Sequence, residues 1–279
     1  MANVLIVGCG DVGGRLARQL ADAGHEVHGL RRAPFALKGV HCLTGDVTDP
    51  VTLSLPPQLD YVFVLLAPGE SGEDAYRRVY YEGTRHLLAA LAGESLRRIF
   101  WVSSSSVYGQ DDGSWVNETS SADPASPTAC ILRASEDAVR ASGWPTTIVR
   151  FSGLYGSGRL RLVNWVKSGR PVQAAPVQWT NRIHVTDAAG LLAFLMAQDI
   201  AGVPLADTYI GTDSEPAPQH EVLDWIADRL QVARVPHEAR PDAGSNKRLS
   251  NARLLALGYR LRFPDFRAGY ADVLAQHPE

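Results

Sequence analysis

The chain has 279 residues, a length that can bury the core of one large domain or of one domain and a half. Its 45% of hydrophobic residues, 20% of charged residues and net charge of −3 are ordinary for a globular protein, so nothing indicates nucleic acid or an anionic membrane as a partner. The apolar runs are too short for a signal peptide or a membrane span, and the three cysteines have no metal or disulfide spacing. We therefore expect a cytoplasmic protein without a metal site.

The first predicted elements are a strand, a glycine turn and a helix. An apolar run at residues 4–7 leads directly into Gly8-Cys9-Gly10-Asp11-Val12-Gly13, and an amphipathic stretch continues to about residue 23. A second apolar strand follows at residues 26–30. This order and spacing are typical of a loop that binds the pyrophosphate of a dinucleotide, although a βαβ turn without a ligand has the same outline.

Each part of this turn has a predicted role in holding the dinucleotide. Gly8 permits the tight turn, Gly10 lets backbone amides approach the phosphates, and Gly13 lets the helix pack against the strand. Asp11 and Val12 open the helix together with Gly13, where free N–H groups and the helix dipole favour an anion. The turn therefore predicts a pyrophosphate site at the amino terminus of the helix.

The end of the second strand indicates which dinucleotide binds. NAD sites place an acidic residue there for the ribose 2′-hydroxyl, whereas NADP sites place an arginine near the 2′-phosphate. This chain has Arg31 and Arg32 and no acidic residue between positions 27 and 40. A guanidinium can bind a phosphate through paired hydrogen bonds, whereas a carboxylate would repel it. We predict NADP, with NAD less favoured; a solvated basic turn is the alternative.

Strand and helix patterns alternate along the rest of the chain. This alternation predicts an α/β protein with a Rossmann-type doubly wound parallel sheet and a smaller carboxyl-terminal α/β part. Ligands of such sheets bind beyond the carboxyl ends of the strands. The predicted strands are residues 40–43, 61–66, 98–102, 146–150, 181–184 and 207–210, and the predicted helices are residues 75–91, 129–141, 160–167, 186–196 and 219–230.

Five motifs in order carry a resemblance to a known superfamily. They are the glycine turn, Gly45-Asp46-Val47, SSSSVYG at residues 103–109, RFSGLYG at residues 150–156 and RIHVTD at residues 182–187. Together they resemble the extended short-chain dehydrogenase/reductase superfamily, which contains nucleotide-sugar epimerases and dehydratases, over most of residues 1–200. The resemblance implies an NADP-binding Rossmann domain at residues 1–155, to which residues 181–200 return. It also implies a smaller substrate-covering region at residues 156–180 and 201–279.

The resemblance also implies contacts for individual residues. Asp46, with Val47, is expected beside the adenine, although Asp46 is also a suitable turn residue or helix cap. Arg182 is expected to contact an anionic or sugar-type small-molecule substrate, with a surface ion pair to Asp187 or another acidic residue as the alternative. The remaining expected contacts are Leu66, Ala67 and Ser103 on the nicotinamide side, and Ser105 on the substrate side.

The chain departs from the superfamily at its catalytic pair. Related enzymes use a Tyr and a Lys four residues later, so that the lysine lowers the pKa of the phenol. No lysine of this chain has a tyrosine four residues before it. Alignment on Glu136 places Thr128 at the tyrosine position and Leu132 at the lysine position. Neither side chain can exchange a proton near neutral pH, so the chain is an atypical member with a degenerate tetrad.

Ser104 is the tetrad element that remains, three residues before Val107-Tyr108-Gly109. We predict that Ser104 contacts substrate or nicotinamide, although its hydroxyl can also satisfy loop backbone groups. Tyr80 and Tyr108 are the candidate acids, with packing at a strand end as their alternative role.

Two functions stay open from the sequence. One is an NADP-dependent oxidoreductase or epimerase, and the other is a non-catalytic NADP-binding redox sensor or interaction protein. The helices at residues 75–91 and 129–141 allow a homodimer, but their arginines make a monomer equally compatible with the sequence.

Overall fold

A seven-stranded sheet organises the first part of the computed structural model, which describes residues 1–240 and 244–277. The strands are β1 (Asn3–Val7), β2 (Glu26–Arg31), β3 (His41–Thr44), β4 (Tyr61–Val64), β5 (Arg98–Ser104), β6 (Trp115–Val116), β7 (Thr146–Phe151), β8 (Gly153–Tyr155), β9 (Val172–Ala175), β10 (Trp179–Thr180), β11 (Arg182–His184), β12 (Thr208–Gly211), β13 (Ala217–Pro218), β14 (His237–Ala239) and β15 (Arg248–Leu249). The helices are α1 (Asp11–Asp22), α2 (Glu73–Tyr76), α3 (Gly83–Ala90), α4 (Pro127–Arg140), α5 (Arg161–Ser168), α6 (Val185–Ile200), α7 (Gln219–Leu230), α8 (Ala252–Ala256) and α9 (Phe266–Gln276).

The large sheet has the strand order β12-β7-β5-β4-β1-β2-β3. The order reverses beside β1, which pairs in parallel with both β2 and β4. In this register Val7 lies level with Leu30 and with Val64, so three strands end side by side. Open α/β sheets bind ligands at such a switch point. This architecture confirms the predicted doubly wound α/β fold.

The central strands β1 and β4 are buried and apolar along almost their whole length. Val4, Leu5, Ile6 and Val7 are each at most 1% exposed, and β4 is buried at every position. Strands covered by helices on both faces have such continuous runs instead of the alternation of a half-exposed strand. The amphipathic α1 covers β1 and β2 with Leu16, whose side chain is fully buried.

Between α2 and α3 the chain continues as a π-helix at Arg77–Glu82. This wide turn follows α2 directly and ends at Gly83, where α3 begins. A Cβ at Gly83 would lie 2.7 Å from Val47 Cγ2, so the wide turn brings backbone against the loop that follows β3. Short π-helical segments of this kind occur mostly at functional sites.

The chain divides into two compact units. The first comprises Met1–Val107, Ala122–Arg150 and Ala189–Tyr209, and it contains most of the large sheet. The second comprises Tyr108–Ser121, Phe151–Ala188 and the part of the chain from Ile210 onward. The assignment of cofactor and substrate roles to residues 1–155 with 181–200, and to 156–180 with 201–279, stays a prediction.

The second unit has its own apolar core between α5, α7 and α9. Val163, Val222 and Phe266 represent the three helices in this core, and each is at most 4% exposed. Paired short strands surround it, of which β11 runs parallel to β8 and β15 runs parallel to β6. Within residues 1–240 and 244–277, no helix has the length and apolar character needed to cross a membrane.

Candidate functional site

The glycine turn is shaped by contacts that leave no room for a side chain at two of its positions. Gly8 has φ +90°, and a Cβ there would lie 2.2 Å from the carbonyl oxygen of Leu65. A Cβ at Gly13 would lie 2.4 Å from the carbonyl oxygen of Gly8. Gly8 therefore brings the turn against the loop after β4, and Gly13 brings α1 against the turn. These are the steric roles that the sequence predicts for both glycines.

Gly10 differs from its neighbours because a Cβ there would meet nothing within 4 Å. It precedes the first residue of α1, and no side chain caps this end of the helix. The first amides of an α-helix have no acceptor within the helix and carry partial positive charge. The turn is thus an open cradle of backbone donors, and its shape and charge fit a diphosphate.

A cavity of about 200 Å³ opens where β1, β2 and β4 end; we call it the first cavity. It brings together many of the predicted cofactor contacts. The sequence does not reveal Leu65 and Val79, which also line it. Val79 lies in the π-helical segment, whose spacing follows no regular periodicity. The predicted contacts that line the cavity are Gly8, Gly10, Arg31, Arg32, Asp46, Val47, Leu66 and Ala67.

Asp46 lines the first cavity while serving as a turn residue. Its Oδ1 accepts hydrogen bonds from the backbone N–H and the hydroxyl of Thr48, each at 2.9 Å. These bonds hold the loop that follows β3. The two interpretations of Asp46 are therefore compatible, since the same carboxylate fixes the loop and faces the cavity.

The neighbouring arginines have different surroundings. Arg31 donates from Nε to the carbonyl of Ala33 at 2.9 Å and from Nη2 to the carbonyl of Pro34 at 3.1 Å. Its guanidinium lies 4.5 Å from the ring centroid of Phe35, so the group is fixed. Arg32 is exposed and extends toward Gly69, where a Cβ would lie 3.3 Å from Nη2.

The serines of the SSSSVYG motif end β5 and begin a short 3-10 helix. Ser103 is buried, whereas Ser104 and Ser105 are half-buried. The Ser104 hydroxyl oxygen accepts a hydrogen bond from the backbone N–H of Ser106 at 3.1 Å. The Ser104 proton can therefore still be donated to another oxygen.

Tyr80 lies in the π-helical segment of the first unit. Its ring contacts Trp101 edge-on, with centroids 6.1 Å apart, and Tyr76, with centroids 5.2 Å apart. Burial raises the pKa of the Tyr80 phenol well above its usual range. At neutral pH this phenol is protonated, so it can donate a hydrogen bond but is a poor base.

Tyr108 belongs to the second unit and is 1% exposed. Its carbonyl oxygen accepts a hydrogen bond of 2.6 Å from Nζ of Lys247, whose side chain is also buried. Burial lowers the pKa of this lysine. The Lys247 amine is therefore enclosed and is not part of a solvated loop.

The face of α4 where related enzymes carry their Tyr and Lys has no titrating pair. The Thr128 hydroxyl lies 3.3 Å from that of Ser126, and Leu132 is 3% exposed. One turn further, the fully buried Glu136 accepts hydrogen bonds from Arg150 at 2.9 and 2.5 Å. Burial raises the pKa of Glu136, but the bonds and charge of Arg150 outweigh it, so the pKa is lowered.

We expect Arg150→Met to destabilise the protein by about 3–5 kcal/mol, because it leaves a buried carboxylate with weaker compensation from half-exposed Arg140. Urea unfolding at pH 7 measures the change. Arg234→Met is the matched control, since Arg234 pairs with Asp228 at the surface, and its loss should stay below about 1 kcal/mol. Equal losses for both variants would contradict a special role for the buried pair.

Arg182 lies in β11 of the second unit and is buried. Its Nη2 donates to the hydroxyl of Thr180, and its guanidinium lies 5.4 Å from the ring centroid of Phe266. The alternative of a surface ion pair with Asp187 is wrong. Asp187 is itself buried, and its carboxylate accepts the backbone N–H groups of Arg262 and Phe263 at 2.8 and 2.9 Å.

Two polar atoms near Arg182 lack partners among the described residues. They are Nη1 of Arg182 and Oδ2 of Asp213, a carboxylate that is 1% exposed. Burial raises the pKa of Asp213 to about 8, although the charge of Arg182 acts in the opposite direction. In the part of the chain that the structure describes, no group of three or more His, Cys, Asp and Glu side chains could hold a metal ion.

The comparisons place the chain among known sequences and structures. A sequence model of the NAD-dependent epimerase/dehydratase family matches residues 4–210. A structure from Methylobacillus flagellatus, a candidate NAD-dependent epimerase/dehydratase, is 39% identical with a TM-score of 0.86, and the match covers 100% of this chain and 99% of that one. A protein of unknown function from Silicibacter pomeroyi is 26% identical, with a TM-score of 0.78 over 99% of both chains. MoeE5 in complex with UDP-glucuronic acid and NAD is 23% identical, with a TM-score of 0.79 over 98% of both chains. No curated protein matches.

Proposed function

Since the chain belongs to the NAD-dependent epimerase/dehydratase family, we propose that it is an NADP-dependent oxidoreductase or epimerase-like enzyme acting on a carbonyl or sugar-type small molecule. The observation that carries the proposal is the open amide cradle at Gly10, beside a cavity that Arg31 and Arg32 also line. The complex of MoeE5 with a sugar nucleotide supports the substrate class. We further propose a cytoplasmic protein, as a monomer or homodimer, without nucleic acid as partner.

Different residues of the first unit would bind different parts of the dinucleotide. The first amides of α1, from Asp11 to Gly13, would hold the pyrophosphate, with Gly10 leaving room for it. Asp46 and Val47 would lie beside the adenine, and Leu66, Ala67 and Ser103 on the nicotinamide side. Arg31 and Arg32 would select the phosphorylated adenosine over the plain one, because no acidic residue lies between positions 27 and 40, where NAD sites place one for the free 2′-hydroxyl.

A bound nicotinamide supplies hydride chemistry, and the chain must manage the accompanying proton. Ser104 would donate a hydrogen bond to the substrate oxygen, with Ser105 nearby, because the Ser104 oxygen already accepts the backbone bond from Ser106. Tyr80 would be a proton donor and not a base, since its phenol stays protonated at neutral pH. Tyr108 is the second candidate acid, and Arg182 the candidate contact for an anionic substrate group.

The α4 face favours a second candidate function, a non-catalytic NADP-binding redox sensor or interaction protein. Thr128 and buried Leu132 stand where a proton relay is required, and neither ionises near neutral pH. A protein without turnover still needs the amide cradle but has no need of Ser104. The two functions can therefore be separated experimentally at Ser104.

The test follows NADPH oxidation by purified protein against a panel of carbonyl compounds and nucleotide sugars. We expect saturable consumption of NADPH with at least one compound, and Ser104→Ala should lower kcat/KM by roughly 10- to 100-fold through loss of a hydrogen bond to the reacting oxygen. Ser106→Ala is the matched control, because its backbone N–H is kept, and its kinetics should match the wild type. Saturable NADPH binding without any turnover supports the sensor, and absence of saturable binding contradicts both functions.

A further inference from the structure

A second cavity lies beside the glycine turn, between α1 and the loop that follows β2. Its volume is about 500 Å³, and Gly10, Arg15, Arg18, Arg31 and Phe35 are among its lining residues. All of these belong to the first unit. We call it the second cavity, to distinguish it from the first cavity at the ends of β1, β2 and β4.

The second cavity is positively charged. Asp11 is the carboxylate that lines it, and Asp11 already pairs with Nε of Arg15 at 2.9 Å. Arg18 is exposed on the next turn of α1, and no carboxylate among residues 1–240 and 244–277 pairs with it. Arg15, Arg18 and Arg31 thus line a cavity whose one carboxylate is already paired. This excess of positive charge favours a dianion over a neutral ligand.

Gly10 and Arg31 line both cavities, so the two spaces meet at these residues. Arg32 lines the first cavity and not the second. Arg31 and Arg32 differ in this way because consecutive side chains at the end of a β-strand point to opposite sides. A ligand in the first cavity can therefore extend a charged group past Gly10 and Arg31 toward the arginines of α1.

We propose that the second cavity holds the 2′-phosphate of NADP(H), gripped by Arg31 together with Arg15 and Arg18. This inference rests on the proposed cofactor. The Arg31 guanidinium is held in place, since its Nε and Nη2 donate to the carbonyls of Ala33 and Pro34. Its Nη1 can then donate to a phosphate oxygen. Arg32 lines the first cavity only, so it would act on the phosphate from the adenosine side, opposite the arginines of the second cavity. Selectivity for the phosphorylated cofactor therefore depends on two helix residues that the NADP motif does not include.

Titration calorimetry of NADPH and NADH against single variants tests the assignment. Arg15→Gln and Arg18→Gln should each raise the Kd for NADPH about tenfold, the loss of one charge-assisted contact, and leave the Kd for NADH within about twofold. Arg15→Lys keeps the charge and should retain most of the selectivity. Arg32→Gln should also raise the Kd for NADPH more than the Kd for NADH, as the cofactor proposal requires. The matched control is Arg229→Gln, on the exposed surface of α7, which should change neither.

The outcomes separate this inference from the cofactor proposal. If the wild type prefers NADPH and the Arg15 and Arg18 variants keep that preference, the second cavity is not the phosphate site, while the cofactor proposal stands. If these variants weaken NADPH and NADH equally, the inference is also overturned. If the wild type binds neither dinucleotide, the cofactor proposal fails first. Binding of inorganic phosphate alone, with equal affinities for NADPH and NADH, would assign the cavity to free phosphate and overturn the inference.

Discussion

Gly10→Val should abolish binding of NADPH and NADH alike, raising both Kd values at least about 100-fold, while the fold stays intact. A Cβ at Gly10 meets nothing within 4 Å, so the turn has room for the first carbon of the valine side chain. Its branched side chain would instead fill the space in front of the α1 amides, where a pyrophosphate must approach. Titration calorimetry measures the loss of binding, and circular dichroism with thermal unfolding measures the fold.

Gly14→Ala is the matched control for this experiment. Gly14 also has nothing within 4 Å of an added Cβ, but it lies inside α1. We expect NADH affinity within about twofold of the wild type and a gain of about 0.5–1 kcal/mol in stability, because alanine favours the helix. A Gly10→Val protein that is folded and binds with undiminished affinity would remove the turn from the site. Loss of the fold in Gly10→Val would contradict the open space observed there.

Asp213→Asn should remove a large pH dependence of stability. The folded-state pKa of Asp213 is raised to about 8, because burial outweighs the charge of Arg182. In the unfolded chain this carboxyl ionises near pH 4. Between these values the folded state keeps a proton that the unfolded state has released, so stability falls as pH rises. The slope is about 1.4 kcal/mol per pH unit, and the whole effect is on the order of 5 kcal/mol.

Urea unfolding of the wild type and Asp213→Asn between pH 4 and 9 measures this effect. The variant should become progressively more stable than the wild type up to about pH 8, and the difference should then level off. Asp112→Asn is the control, because hydrogen bonds from Ser114 lower the pKa of Asp112. A lowered pKa stabilises the fold above the unfolded value near pH 4 and loses that stability only as pH falls below it, so the difference between wild type and this variant should not vary between pH 5 and 9. A difference between wild type and Asp213→Asn that does not vary with pH would contradict the raised pKa.

The sequence predicts the first unit well because its signals are local. Continuous apolar runs identify β1 and β4, and glycine spacing identifies the turn, since the steric demand at Gly8 and Gly13 leaves no other residue type. The helix boundaries differ by a few residues at most. The predicted helix at residues 129–141 is observed as Pro127–Arg140, because Ser126 caps it by accepting the N–H of Ala129.

Residues that depend on tertiary burial could not be predicted in the same way. Arg182 and Lys247 look like surface cations in the sequence, yet both are buried and bonded to neutral oxygens. Val79 belongs to the apolar side predicted for the helix at residues 75–91, but the sequence does not place it at the first cavity, where the π-helical segment brings it. Arg15 and Arg18 have the spacing of an exposed helix face, and only the loop after β2 turns that face into a cavity wall.

The π-helical segment has a consequence for relatives that lack it. A chain shorter by one residue within Arg77–Glu82 could form an uninterrupted α-helix from α2 to α3. The wide turn accommodates the extra residue, so the helix after it would keep its position when that residue is removed. Gly83 would then keep its contact with Val47, whereas residues inside the segment, such as Tyr80, would shift relative to Trp101. Homologues without the extra residue should therefore still carry a small amino acid opposite the loop after β3.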